Sequence, residues 1–196
     1  MSEAASASGA ATMNAGSTTS AEPTQAAEPT QSAEPTIGDK VRAVHRTYPT
    51  GVTIVTVADA AGQPRGLAVN AFSSISLDPP LIMVAVNANA STYPWLFSAE
   101  HIGVNIVAEN QVGVVRAFAR SGGDKFAGLD WHPGTTGAPV IDGSAGHFEL
   151  AVRYKIPAYT HTIFIGEVIE AAATDQPAMI YLGGGFFAQG QGLTPA

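Results

Sequence analysis

Short runs of β-branched residues, bounded by glycine, proline or polar residues, are the commonest hydrophobic pattern along this chain. Runs of this length and composition predict strands. Seven of them occur, at residues 52–57, 67–72, 81–86, 102–107, 148–154, 162–171 and 179–182. The segment Gly62-Gln63-Pro64 predicts a hairpin connection between the first two strands.

Three further segments place their apolar residues three or four positions apart, which is the spacing of one face of a helix. They cover residues 38–47, 91–99 and 110–120, and Asp39 stands where it can cap the first. Strands outnumber helices and follow one another closely, so we predict a mainly β fold, a small antiparallel barrel with peripheral helices. No G-x-G-x-x-G motif opens a helix after a strand, which argues against a Rossmann nucleotide site.

The first 36 residues differ in composition from the rest of the chain. They contain no Lys or Arg, and a repeat reading AEPTQA, AEPTQS, AEPT occupies residues 21–36. Its prolines prevent a regular helix, and few large apolar residues are present to offset the entropy of ordering. We predict a disordered Ala/Glu/Pro/Thr-rich tail over residues 1–36, a domain over 37–187 and a flexible end over 188–196. The tail is interpreted as a solubilising segment, with a docking arm for a partner as the alternative.

Charge and composition exclude several classes of function. The net charge of −7 argues against a nucleic-acid surface. The longest apolar run, residues 81–86, is far shorter than the roughly 20 residues that cross a bilayer, and no signal-peptide pattern opens the chain. The absence of cysteine excludes thiolate chemistry and fits a reducing compartment. We therefore expect a cytoplasmic protein that binds neither nucleic acid nor membrane.

The sequence also lacks the residue patterns of enzymes that work without a cofactor. None of the five histidines has a His or carboxylate partner at metal-ligand spacing, so we expect no metal site. Neither the G-x-S-x-G motif of hydrolases nor a P-loop is present. Such a chain fits an enzyme in which an organic cofactor carries the reactive atoms.

The segment GLAVNAFSSISLDPPL, residues 66–81, sets short polar side chains at the end of an apolar strand. These groups suit the polar edge of a flat heterocycle or a phosphate, while Phe72 and Leu77 are expected to face the core. The alternative is a turn made by Ser and Asp before two prolines. The start of the second predicted helix, Ser91-Thr92, suits a phosphate or is an ordinary N-cap. Lys125, beside Phe126, is one of few cations in the chain and could contact a ligand; the alternative is an ordinary loop lysine that faces solvent.

Taken in order, these segments resemble the flavin reductase-like family, the small reductase components of two-component flavin-dependent monooxygenases. The matching stretches within residues 42–187 are PTGVTIVTV, GLAVNAFSSISLDPPL, the Ser91-Thr92 helix start, VNIVAENQ, DKFAGLDW and HTIFIGEV. The resemblance implies an FMN-binding split-barrel-like fold, usually a homodimer, that binds FMN or FAD. It further implies an NAD(P)H:flavin oxidoreductase that transfers hydride from NADH or NADPH to the flavin and supplies a partner monooxygenase.

The same resemblance implies roles for individual residues. Six positions would line the isoalloxazine ring: Ala68, Val69, Asn70, Ala71, Ser73 and Ser74. Four would lie toward the phosphate: Ser91, Thr92, Lys125 and Phe126. His161 matches the histidine of a Gly-Asp-His motif near the nicotinamide, or it is a strand-start histidine that only bonds the backbone.

One departure from the family pattern concerns the second substrate. The family commonly has Gly-Asp-His where this chain reads Tyr159-Thr160-His161, so nicotinamide binding is expected to be altered even if flavin binding remains. Two alternatives therefore stay open. One is a flavoprotein of the same fold whose tightly bound flavin serves another oxidation; the other is a non-enzymatic flavin or haem carrier, or an interaction module.

Overall fold

A computed structural model describes residues 34–190 of the chain. One compact unit, which begins at Thr36, contains all of the helices and strands given below. The predicted tail up to residue 33, and residues 191–196 of the predicted flexible end, lie outside the described residues. The three proposed segment boundaries therefore remain predictions.

Within the described part of the chain, the structure has three helices and twelve strands. The helices are α1 (Ile37–His45), α2 (Tyr93–Ser98) and α3 (Val112–Phe118). The strands are β1 (Thr50–Gly51), β2 (Thr53–Ala58), β3 (Pro64–Val69), β4 (Phe72–Leu77), β5 (Pro80–Asn87), β6 (His101–Ile106), β7 (Trp131–Pro133), β8 (Pro139–Ile141), β9 (Gly146–Ala158), β10 (His161–Ala173), β11 (Ile180–Leu182) and β12 (Gly185–Phe187). All three predicted helices and all seven predicted strands are present, with shifted ends.

Seven strands form one antiparallel sheet in the order β3-β2-β6-β9-β10-β5-β4. The two edge strands, β3 and β4, are joined in sequence by Asn70 and Ala71 alone. This connection spans at most about 11 Å, so the sheet must curl until its two edges meet at that corner. No ladder joins β3 to β4 in residues 34–190, which leaves the barrel open between them. The predicted mainly β, split-barrel-like fold is confirmed, and the barrel is not closed.

The inside of this curled sheet is filled by alternate residues of its strands. Along β5, for example, Ile82, Val84 and Val86 are buried while the residues between them are partly exposed. Leu96 of α2 is fully buried and closes the interior on one side. A second cluster packs beneath α3 and includes Val115, Phe118, Phe126, Ile141 and Met179. The two clusters hold in place the strands and loops that form the cavities described below.

Two expectations about side chains and helix ends were wrong. Leu77 does not face the core but is 88% exposed, because it ends an edge strand whose register shifts between Ser74 and Ser76. The N-cap of α1 is Thr36 and not Asp39. Asp39 takes the third position of a capping box instead, where its carboxylate accepts a hydrogen bond from the Thr36 backbone N–H at 3.0 Å.

Membrane-spanning helices and metal sites can both be assessed directly in residues 34–190. No helix there combines the length and apolar character needed to cross a bilayer. Nor does that segment bring three His, Cys, Asp or Glu side chains together as a metal site would require.

Candidate functional site

A cavity of about 540 Å³ lies beside the first residues of β3, bounded by the chain entering α2 and by the loop that follows α3. All four residues expected to lie toward a phosphate line it: Ser91, Thr92, Lys125 and Phe126. They come from two segments more than thirty residues apart, so the fold itself brings them together. We call this space the Lys125 cavity.

Lys125 is the group in this cavity that is best suited to a ligand. Its Nζ atom is partly buried and donates hydrogen bonds to the carbonyls of Gly66 at 3.2 Å and Phe118 at 3.3 Å. Burial lowers the pKa of this amine below its usual range. No carboxylate of residues 34–190 lies within 4.0 Å of it. A partly buried cation with no carboxylate partner in the described part of the chain favours an anion that enters the cavity.

The loop before Lys125 brings backbone close to the same space. Gly122 and Gly123 line the cavity and have φ angles of +74° and +73°, a conformation that L side chains rarely adopt. The carboxylate of Asp124 is turned into its own loop, where Oδ1 accepts a hydrogen bond from the Phe126 N–H at 3.0 Å. This loop therefore presents backbone, the Lys125 cation and the exposed Asp124 to the cavity.

Ser91 and Thr92 lie in the cavity wall, but α2 begins two residues later than predicted, at Tyr93. The Thr92 hydroxyl makes no cap bond and donates instead to the Gly66 carbonyl at 2.9 Å. Thr92 is buried and ties the start of α2 to β3, whereas Ser91 is exposed. Of the two residues, Ser91 has the side chain that faces solvent and ligands.

Two residues of the cavity were missed by the sequence reasoning. The Arg65 guanidinium lies 5.0 Å from the centre of the Trp95 ring, and its Nη2 atom is 3.0 Å from Asp59 Oδ2. Both Arg65 and Trp95 line the Lys125 cavity. The one available signal was that Arg65 immediately precedes Gly66 in the polar-ended segment.

The outer edge of β3 connects this cavity to the predicted ring site. Backbone groups of an edge strand alternate between the neighbouring strand and open space. Because the Gly66 carbonyl accepts bonds from Thr92 and Lys125, it points away from β2, and Ala68, two residues further, points the same way. The Val69 carbonyl accepts a bond from Thr53 of β2, and the Val69 side chain is buried. Ala68 therefore offers its backbone N–H and C=O at the open edge.

Asn70 and Ala71 lie at the corner where β3 passes to β4. Both line two cavities there, of about 360 and 800 Å³, together with Tyr48 and Thr50. This corner is roughly 13 Å along β3 from Gly66, at about 3.3 Å per residue. Ser73 and Ser74 follow on β4 with exposed side chains. The predicted phosphate residues thus lie beside the start of β3, whereas the predicted ring residues lie along its second half, at the corner and on β4. Of these, Val69 has a buried side chain and offers none to a ligand.

His161 lies outside the Lys125 cavity, at the first position of β10. Its Nδ1 atom is 2.9 Å from the Thr160 hydroxyl, and the ring is exposed. Tyr159 and Thr160 form the two-residue turn between β9 and β10, since Ala158 pairs directly with His161. Tyr159 has a φ of 51°, so it keeps the left-handed backbone that a glycine would take there.

The protein is a small β domain whose antiparallel sheet is open at one edge. A lysine with no carboxylate partner among residues 34–190 lies in a cavity beside that edge, which suits an anionic ligand. The comparison with known families agrees with this description. Residues 45–190 match the family of flavin reductase like domains, and the chain belongs to this family. The resemblance inferred from the sequence is therefore confirmed, while the roles of the individual residues stay predictions.

Three similar proteins are informative. The structure of the NADH:FAD oxidoreductase of Streptomyces globisporus C-1027 with NAD and FAD fragments is 36% identical, with a TM-score of 0.73 over 78% of this chain and 92% of that chain. The FMN reductase (NADH) of Agrobacterium fabrum is 37% identical over 71% of this chain and 79% of its own. The reductase component of the flavin-dependent trigonelline monooxygenase of Acinetobacter baylyi is 34% identical over 79% of this chain and 50% of its own. The chain spans 64%, 47% and 50% of the length of three of the curated relatives it matches.

Proposed function

We propose that this protein is an NADH:flavin oxidoreductase that transfers hydride from the reduced nicotinamide to FMN or FAD. The observation that carries the proposal is Lys125, a desolvated cation with no carboxylate partner in residues 34–190, beside the open edge of β3. Membership of the flavin reductase like domain family supports the same conclusion. The names of two relatives, an FMN reductase (NADH) and an NADH:FAD oxidoreductase, agree with it.

The residues of the site divide the work of holding a flavin. Lys125 donates to a phosphate oxygen, and the exposed Ser91 hydroxyl and the backbone of Gly122 and Gly123 add further contacts to it. Ala68 presents a backbone donor and acceptor to the polar edge of the ring system, as one strand presents them to another. The bound flavin supplies the redox chemistry by accepting a hydride. The protein's task is to orient the two substrates and exclude water, which requires no strong acid or base.

Asn70 and Ala71 lie at the ring end of this edge, and His161 lies nearby on the sheet. The Ala71 carbonyl accepts a bond from Ala85, and Ala85 pairs with Ile163, two residues beyond His161 along β10. His161 would therefore stand beside a ring held at the β3–β4 corner. We assign it to nicotinamide binding, as a hydrogen-bond partner of the second substrate.

We further propose that the protein acts as a homodimer in the cytoplasm and supplies reduced flavin to a partner monooxygenase. Two large apolar side chains stand exposed on β9, Tyr154 (60%) and Ile156 (46%). Burying such side chains in a second copy would be favourable. The relative from Acinetobacter baylyi is named as the reductase component of a monooxygenase, which supports the partner assignment.

NADH consumption by the pure protein, followed by absorbance with FMN, with FAD and with no flavin, tests the proposal. Consumption that requires added flavin and saturates with both substrates is the expected result. If no NADH is consumed and a yellow chromophore stays bound through purification, the protein is instead a flavoprotein whose tightly bound flavin serves another oxidation. Light scattering after size-exclusion chromatography separately measures whether the protein is a dimer.

A further inference from the structure

We propose that Trp95 and Arg65 form a stacking platform for the adenine of FAD, so that this protein binds FAD in preference to FMN. The inference rests on the proposed function, since it concerns the same flavin. It addresses a choice that the relatives leave open, because one is named an FMN reductase and another an NADH:FAD oxidoreductase.

The size of the Lys125 cavity is the first argument. A terminal phosphate needs little more than Lys125 and a few backbone donors. The cavity has a volume of about 540 Å³, which falls within the roughly 300–1,000 Å³ of pockets that hold whole small molecules. FMN would end at Lys125, whereas FAD continues with a second phosphate, a ribose and an adenine. The cavity is therefore larger than a terminal phosphate alone requires.

The chemistry of the wall is the second argument. Trp95 is 37% exposed although the Arg65 guanidinium lies over its ring, so part of the indole surface stays open to the cavity. Asp59 holds the guanidinium in place through Nη2 at 3.0 Å and Nε at 3.3 Å. A planar cation and an indole held together in this way offer flat surfaces on which a purine base stacks. FMN has no group that reaches them.

The distribution of charge agrees with a dinucleotide. Two cations, Arg65 and Lys125, line this cavity, and a diphosphate brings more negative charge to them than one phosphate does. Asp59, which pairs with Arg65, does not line the cavity, and Asp124 is exposed and accepts a hydrogen bond from the Phe126 N–H. Among the residues that line the cavity, the two cations therefore outnumber the one carboxylate, that of Asp124.

The experiment compares Trp95→Ala with Phe97→Ala as a matched control. Phe97 lies on the same helix, is exposed to 46% and also carries a cation over its ring, Lys155 at 5.5 Å, but it does not line the Lys125 cavity. Dissociation constants for FAD and FMN are measured by flavin fluorescence, and that for ADP by calorimetry. ADP carries the adenine and the diphosphate without the ring system.

We expect the wild-type protein to bind FAD more tightly than FMN and to bind ADP measurably. Trp95→Ala should weaken FAD binding by about 5- to 150-fold, the range for loss of one stacked base, and should abolish detectable ADP binding. FMN binding should change less than twofold, which also shows that the variant is folded, and Phe97→Ala should change none of the three. Equal effects of Trp95→Ala on FMN and FAD, or equal wild-type affinity for both, would overturn the inference. Failure of the wild-type protein to oxidise NADH would overturn the proposed function alone, because these titrations involve no turnover.

Discussion

Replacing Lys125 with methionine is the sharpest test of the proposed flavin site. The substitution removes the charge while keeping an unbranched side chain of similar length. In the wild type, the ammonium group contacts the Gly66 and Phe118 carbonyls and has no carboxylate partner within residues 34–190. If this charge is reserved for a phosphate, its loss should weaken FMN binding and leave riboflavin, which has no phosphate, unaffected.

The expected size of the effect follows from the hydrogen bond that is lost. A hydrogen bond to a charged group contributes about 1.5–3 kcal/mol, so the Kd for FMN should rise by about 10- to 150-fold. The fold should tolerate the change, because Gly66 keeps its bond from Thr92 at 2.9 Å. Removing a desolvated charge should leave the free energy of unfolding at neutral pH within about 1 kcal/mol of wild type.

Fluorescence titration with FMN and riboflavin measures both affinities in one assay. Lys155→Met is the matched control, since Lys155 Nζ also donates to two backbone carbonyls, those of Phe97 and Ala99, but lies outside the cavity. An unchanged Kd for FMN, or an equal loss for riboflavin, would refute the assignment of Lys125 to the phosphate.

The pKa of Lys125 adds a second readout to the same pair of proteins. Burial lowers this pKa in the folded protein below the ordinary value of 10.5. The unfolded chain therefore holds the proton more strongly, and the stability of the wild type should rise with pH between the lowered pKa and 10.5. The affinity for FMN should fall over that interval as the charge is lost. Lys125→Met should show neither change, and an identical pH profile for the two proteins would contradict the argument.

Three further substitutions test other parts of the structure. Tyr159→Gly should raise the free energy of unfolding in urea by about 1 kcal/mol, since Tyr159 holds a φ of 51° that glycine adopts freely; a loss of stability would contradict this. His161→Ala should raise the KM for NADH about tenfold, the value of one hydrogen bond, without changing the Kd for FMN, and an unchanged KM would exclude the assigned role. Glu149→Gln should lower the free energy of unfolding by about 2–4 kcal/mol. Glu149 is 1% exposed, and its carboxylate accepts hydrogen bonds from the N–H groups of Thr135 at 2.8 Å and Thr136 at 2.6 Å. Burial raises the pKa of Glu149, but the hydrogen bonds from Thr136 and Thr135 outweigh it, and the net shift of the pKa is downward from 4.5. The free energy of unfolding of the wild type should therefore fall as the pH drops below 4.5. The same dependence on pH in Glu149→Gln would refute this.

The period of the apolar residues was sufficient to predict the interior strands but not the edges of the sheet. In β5 alternate residues are buried, and in β6 four consecutive residues are buried; the apolar pattern predicts both strands. β4 was missed because an edge strand with one side to solvent carries serines at positions where an interior strand carries apolar residues. β7 and β8 were missed because they are three residues long and each contains a proline, which removes a backbone donor.

The site could be predicted only where a single segment carries it. Lys125 and the residues at the β3–β4 corner came from motifs that are continuous in sequence. Arg65 and Trp95 are thirty positions apart, and neither has a local pattern that indicates the other. Their contact depends on how α2 packs against the sheet, where Leu96 is fully buried. Contacts of this kind arise from tertiary packing, which periodicity does not encode.

The polar end of GLAVNAFSSISLDPPL can now be explained by the path of the chain. This segment leaves one edge of the sheet and enters the other through Asn70 and Ala71 alone, so it forms both edges of the opening. At its start, a Cβ on Gly66 would lie 2.7 Å from the Phe118 ring, and the Gly66 carbonyl is the shared acceptor of Thr92 and Lys125. A larger residue there would displace either the Phe118 ring or β3 itself. If the proposed flavin site is correct, the start of this segment needs a glycine beside Phe118 and its end needs short side chains beside the ring. These two requirements would account for glycine, alanine and serine in place of the apolar residues of an interior strand.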